Sequence, residues 1–290
     1  MKVYYIIILA LFFSLKLTSQ EALNFFGAIK LSDSTYIDYK LVISEKNGKI
    51  SGYSITDQGG EHETRSNVFG EYDDYNNELS FRETNIVYTK SSVSQNDFCF
   101  VNSTFKNFKF NRTKKAEAPF MGLFSDNTKC AEGELVLILE DKIEKRLQRV
   151  EKIIKVNKKI PDSIKQAVNV KSIVERRNNN ILRKDQVLSV FSKKDHIKLI
   201  IYDGGKIDGD KIEISVNGKN VLSNFEAVKE KKELTLALTQ PKMTVKIKAL
   251  SEGSITPNTV IVEMDDGQNK LQALSNLKKG ESTQIDILKR

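Results

Sequence analysis

The chain has 290 residues, 46 basic against 38 acidic side chains for a formal charge of +8, 39% apolar residues, two Cys, two His and no Trp. That length accommodates one large or two ordinary domains with real cores, which excludes a wholly disordered chain. Two histidines and two cysteines are too few for a cluster of His-rich metal sites or a disulfide-dense scaffold, and no apolar run after residue 20 approaches the roughly 20 residues that span a bilayer.

At the N-terminus Lys2 precedes an apolar stretch, residues 3–15, of the length of a signal-peptide core, and a short polar segment follows it. Residues 1–19 are therefore expected to be a cleaved export signal that leaves Gln20 first. The alternative, an uncleaved anchor, needs a longer apolar run. No cysteine follows the stretch, so a lipid anchor has no attachment site. Export to a periplasmic or extracellular location places Cys99 and Cys130 where a disulfide is expected, with two buried thiols as the alternative. Such a bridge closes a loop of about 30 residues and is worth about 3 kcal/mol by loop entropy.

Residues 20–139 read as strands separated by turns, with no helical period: 25–31, 36–45, 49–56, 62–72, 78–89, 97–110, 119–125 and 133–139. Asn47-Gly48 is the strongest hairpin signal among them. Eight sequential strands suggest a meander, and closure into an antiparallel barrel removes its two exposed edges. With period two, Glu83 shares the inward face of Leu79 and Phe81. A carboxylate there is either bonded to Tyr or Lys across the strand, or sits near a barrel mouth as a ligand-binding group. A catalytic role needs a second carboxylate that the sequence does not single out. The run 47–81, with its Gly-rich Gly52-Tyr53 strand and later Gly70-Glu71-Tyr72-Asp73, resembles the early hairpins of avidin and streptavidin barrels. The resemblance implies fold alone, because the tryptophans that line that family's biotin pocket are missing here.

The charge is concentrated in residues 140–185, where 14 basic face 7 acidic side chains for +7. Removing Lys2 and Lys16 with the signal leaves +6, so everything else sums to about −1. Leu139, Ile143, Leu147, Val150 and Ile154 step by four, four, three and four, the spacing of one amphipathic helix face, and Pro161 ends the helix. A basic helical connector that docks this stripe on a neighbouring domain is expected. Contact with anionic envelope polymers or lipid headgroups is the alternative. Nucleic acid is not expected, because the chain is exported and no aromatics interleave the basic residues.

From 186 to 290 the pattern is again β, with strands at 186–191, 196–203, 210–216, 232–238, 243–250, 259–265, 270–274 and 283–288 and turns such as Asn217-Gly218 and Asp266-Gly267. An immunoglobulin-like or jelly-roll β-sandwich is expected, without a parallel sheet in either half. Asp203, Asp208 and Asp210 lie within eight residues of a Gly-rich loop, which suits either a calcium ion or simple turn chemistry. The order of Tyr202-Asp203, Ile207-Asp208-Gly209-Asp210, Asn217-Gly218 and Gly253-Ser254-Ile255-Thr256-Pro257-Asn258-Thr259 resembles a β module of secreted Bacteroidetes-type proteins. That resemblance implies fold and export, and no activity.

There is no G-x-S-x-G, H-E-x-x-H, phosphate-binding loop or strand-linked G-x-G-x-x-G in the chain. The sequence therefore suggests an exported non-enzymatic binding or structural protein, with an unknown ligand such as an envelope glycan or protein. A glycan-active enzyme using a carboxylate in the barrel is the alternative.

Overall fold

In a computed structural model, residues 22–32, 35–92, 97–110, 112–167, 180–205 and 207–290 are described. The expected signal at 1–19 and residues 168–179 of the connector lie outside them. Eight strands occupy the first half: β1 (Leu23–Leu31), β2 (Tyr36–Lys46), β3 (Lys49–Thr56), β4 (Thr64–Asp73), β5 (Glu78–Thr89), β6 (Phe100–Phe105), β7 (Lys115–Leu123) and β8 (Lys129–Leu139). Each pairs antiparallel with the next, and β1 returns to β8 from Phe25 opposite Leu139 to Leu31 opposite Gly133. The meander is thus a closed barrel, as the turn spacing suggested.

Local chemistry explains the register. Asn47 and Gly48 both adopt positive φ, the geometry of a two-residue hairpin turn, which puts Lys46 opposite Lys49. Alternation then sends Tyr39, Leu41 and Ile43 of β2 inward to meet Phe25, Leu79, Phe81, Leu135 and Leu137, all buried. Gly52 lies where a Cβ would collide with the carbonyl of Val42, so this close strand approach requires glycine. The expected strand at 97–110 is shorter. Asn107 takes positive φ, and Phe108 folds back into the barrel end, where its ring lies 6.0 Å from Phe25 and 6.4 Å from Phe105.

The helix α1 (Glu140–Val156) follows β8 directly, with Glu140 and Asp141 favourably placed in its first turn. It stops five residues before Pro161, at an extended Asn157 whose N–H caps the carbonyls of Ile153 and Ile154. The short α2 (Asp162–Ala167) comes next. Of the apolar stripe, Leu139, Ile143, Leu147 and Ile154 are half-buried and Val150 is exposed, and no residue of α1 is fully buried. Among the described residues no helix is long and apolar enough to cross a membrane.

The second half holds ten strands: β9 (Asn180–Leu182), β10 (Val187–Ser192), β11 (His196–Asp203), β12 (Lys211–Val216), β13 (Lys219–Glu226), β14 (Lys232–Ala237), β15 (Lys242–Ala249), β16 (Val260–Asp265), β17 (Lys270–Ser275) and β18 (Ser282–Lys289). They form a sandwich of β13-β12-β15-β18-β10 against β14-β11-β16-β17-β9. Ile212, Ile214, Val245, Ile247, Ile285 and Ile287 of one layer share a buried core with Leu199, Ile201, Val260, Val262 and Met264 of the other. Two strands were not anticipated, β9 and β13, and two pairings are parallel, β10 with β18 and β9 with β17. Both parallel partners join a strand from early in the module to one from its end. No hairpin forces antiparallel order on them.

One strand ties the halves together. The first part of β5, Leu79 to Arg82, closes the barrel against β6, whereas Tyr88 and Thr89 pair with Val190 and Ser189 of β10. Val87 and Tyr88 are buried in the sandwich core. Irregular register between β4 and β5, at Ser66 and Val68, accompanies this change of partner.

Candidate functional site

Glu83 lies on the inward face, as its period with Leu79 and Phe81 requires, and is 6% exposed. Its Oε1 accepts hydrogen bonds from the Tyr39 hydroxyl at 2.9 Å and from the Ser54 hydroxyl, and its Oε2 accepts the Val101 N–H at 2.8 Å. Burial pushes its carboxyl above the usual range, opposed by the three donors. Burial and the adjacent Glu83 charge together push the Tyr39 hydroxyl well above 10.0. Glu83 clamps β2, β3, β5 and β6 and itself lines a cleft of about 460 Å³ with Arg82, Asn85, Phe100 and Phe124.

The three aspartates of the 203–210 loop are near one another; Asp203 bonds within the loop, and Asp208 and Asp210 bond to a distant segment. Asp203 Oδ1 accepts the Gly205 N–H, Asp208 Oδ2 accepts the Ile255 N–H at 2.8 Å, and Asp210 Oδ2 accepts the Thr259 N–H at 2.8 Å. Asp208 and Asp210 tie the loop to residues 255–259, where the Thr256–Pro257 peptide is cis. Asp203 Oδ2 and Asp210 Oδ1 are buried without a partner. Burial raises the Asp210 carboxyl, and the charges of Asp208 and Asp203 add to the shift. Among the described residues no group of three or more His, Cys, Asp or Glu side chains is arranged to hold a metal ion.

Cys99 and Cys130 form a disulfide with Cα atoms 5.9 Å apart. It joins the chain just before β6 to β8, passing over Gly122 of the intervening β7, where any Cβ would collide with Cys99 Sγ. Such a bridge belongs to a non-reducing compartment.

Two further features had no sequence signal. On the outer wall of the barrel, a concavity of about 1020 Å³ is bordered by half-exposed Phe69 and Met121 together with Arg82, Asn102 and Glu132. A second cleft, of about 520 Å³, is built jointly by the barrel exterior, the start of α1 and the β9 and β17 strands of the sandwich. Here the Arg65 guanidinium stacks on Tyr53 at 3.8 Å, and its Nε is buried without a partner. Lys40 is 6% exposed and lies over Phe26 at 5.0 Å. Burial lowers its ammonium pKa, Glu140 opposes that shift and Arg65 adds to it. Asn180 is 5% exposed, and both its amide nitrogen and oxygen lack partners.

Beneath the cleft a polar network fastens the two halves. Glu63 accepts hydrogen bonds from the Tyr88 hydroxyl at 2.7 Å and the Gly59 N–H at 2.6 Å and pairs with Lys90 at 3.3 Å. The same Lys90 ammonium donates to the Ile181 carbonyl at 3.0 Å. With both side chains 3% exposed or less, this ion pair is satisfied on several sides, as a buried pair must be. Burial lowers the Lys90 pKa, and the Glu63 charge opposes that shift.

Comparison with protein-family models, curated proteins and solved structures returns no match.

Proposed function

We propose that the chain is an exported, non-enzymatic binding or structural protein of the bacterial envelope or extracellular space, and that it meets its ligand on outer surfaces rather than inside the barrel. The observation that carries this reading is the filled barrel. Phe25, Tyr39, Leu41, Phe81, Phe105, Phe108, Leu135 and Leu137 pack into one buried cluster, leaving binding to the outer concavities. The inward carboxylate that an enzyme would need, Glu83, has both oxygens engaged by three donors. Residues 1–19 and the Cys99–Cys130 bridge support export, and the resemblance of the last 90 residues or so to a secreted β module points the same way.

The test combines export with turnover. Expressed with its own N-terminus, the protein should leave the cytoplasm and begin at Gln20. Incubated with a panel of glycosides and envelope polysaccharides, it should bind without releasing product. Steady turnover that Glu83→Gln abolishes while the fold is retained would establish the enzyme instead.

A further inference from the structure

We propose that the cleft between barrel and sandwich is a binding site for a small hydroxylated carboxylate of the sugar-acid class; this rests on the reading of the chain as a binding protein and names the ligand chemistry. Burying a polar group without a hydrogen-bond partner is costly, so native structures rarely tolerate one unless a ligand, ion or water completes it. In this cleft the groups that lack partners lie together. Asn180 offers its amide NH2 and its carbonyl oxygen, and Arg65 offers its Nε–H.

The geometry is selective in three respects. First, stacking on Tyr53 fixes the plane of the Arg65 guanidinium, which prepares its edge for a planar carboxylate. Second, the nearby acidic groups are engaged by other cations. Glu63 is met by Lys90 at 3.3 Å and Glu263 by Lys231 at 3.8 Å, which leaves the Arg65 guanidinium edge to a ligand carboxylate. Third, the Asn180 oxygen needs a donor from the ligand. Sulfate and acetate bring none at neutral pH, whereas a sugar hydroxyl both donates and accepts. A volume of about 520 Å³ admits a sugar acid of one or two rings.

The site is also shaped by folding of the whole chain. Asn24, Lys40, Tyr53 and Arg65 come from four adjacent barrel strands or their edges, Glu140 opens α1, and Asn180 and Gln272 come from paired strands of the sandwich. Gln272 is held by donating to the Tyr202 hydroxyl at 3.0 Å and to Glu263 at 3.1 Å. The pairing of β5 with β10 and the Lys90 bond to Ile181 hold the two walls at a fixed separation. The cleft is therefore preorganised, which lowers the ordering cost of binding.

Calorimetric titration of the full chain with glucuronate and galacturonate tests the proposal, with methyl glucoside and acetate as controls. The expected result is saturable uronate binding at least tenfold tighter than either control. Arg65→Met and Asn180→Ala should each weaken it about tenfold or more. Asn180→Ala should leave the melting temperature unchanged or higher, because the deleted amide makes no hydrogen bond within the chain. Uronate binding no tighter than acetate, or affinity indifferent to Asn180→Ala, overturns the assignment. Such a failure leaves the binding-protein reading standing as long as the chain turns over no glycoside, whereas turnover overturns that reading and not merely the ligand class.

Discussion

Replacing Glu83 by Leu separates a structural carboxylate from a functional one. The change keeps the volume of the side chain roughly constant but strands three buried donors: the Tyr39 hydroxyl, the Ser54 hydroxyl and the Val101 N–H. Each orphaned group costs about 1–3 kcal/mol, and the added apolar burial and sharing of one site make the losses less than additive, so about 3–6 kcal/mol is expected. That is a large part of the roughly 5–15 kcal/mol that holds a domain folded. The combination Glu83→Leu, Tyr39→Phe and Ser54→Ala removes two of the donors along with the acceptor and should recover all but about 1–3 kcal/mol, the share of Val101. Urea unfolding followed by circular dichroism reads both numbers, provided the slope with denaturant stays constant. Stability within about 1 kcal/mol of the parent for Glu83→Leu would refute the reasoning. The pH dependence has a definite sign. Burial raises the Glu83 carboxyl in the folded state, so its contribution is fully present below the unfolded pKa and is lost as pH rises through the folded one. The parent should therefore gain on Glu83→Gln as pH falls from neutral into the weakly acid range.

Replacing both Cys99 and Cys130 by Ala should cost about 3–4 kcal/mol, from a bridge whose cysteines are 31 residues apart, and non-reducing peptide mapping of exported protein should find the bridge intact. Gly122→Ala should destabilise the bridged protein and lose most of that effect when Cys99 and Cys130 are both Ala, as a thermodynamic cycle will measure. The 203–210 loop should behave as a tied turn, so millimolar calcium should leave the melting temperature of the full chain where equal ionic strength of sodium leaves it; a selective rise with calcium would make it a metal site. Asp210→Asn should raise the melting temperature at neutral pH, since it removes a buried charge facing Asp203 and Asp208, and it should flatten the gain the parent shows as pH falls through the raised Asp210 pKa.

The barrel was legible because its signals are local. Alternation along Leu79, Phe81 and Glu83 gave the inward face, and all three are buried; Asn47-Gly48 gave the first tight hairpin. The sandwich was legible for the same reason, except where pattern fails. In β13, Lys219 to Glu226, no side chain is buried, because the strand is a bulged edge, so it carries no period-two signal. β9 is three residues long and gains its place only by parallel pairing with β17. The cleft had no signal at all. Lys40 alternates with inward Tyr39 and Leu41, which reads as a solvent-facing lysine, and it is buried on the outer wall of the barrel, where α1 begins and the sandwich approaches. Arg65 and Asn180 are far apart in sequence, and the pairing of β5 with β10 and the Lys90 bond to the Ile181 carbonyl bring their surroundings together.

Hydrogen exchange of the full chain with and without saturating glucuronate tests most directly the claim that ligand meets this protein outside a filled barrel. The account predicts added protection around Arg65 in β4 and around Asn180 and Gln272 in β9 and β17, with no change near Glu83. Protection gathered instead at the barrel end, in residues 83–85, 100–102 and 123–127, would contradict it.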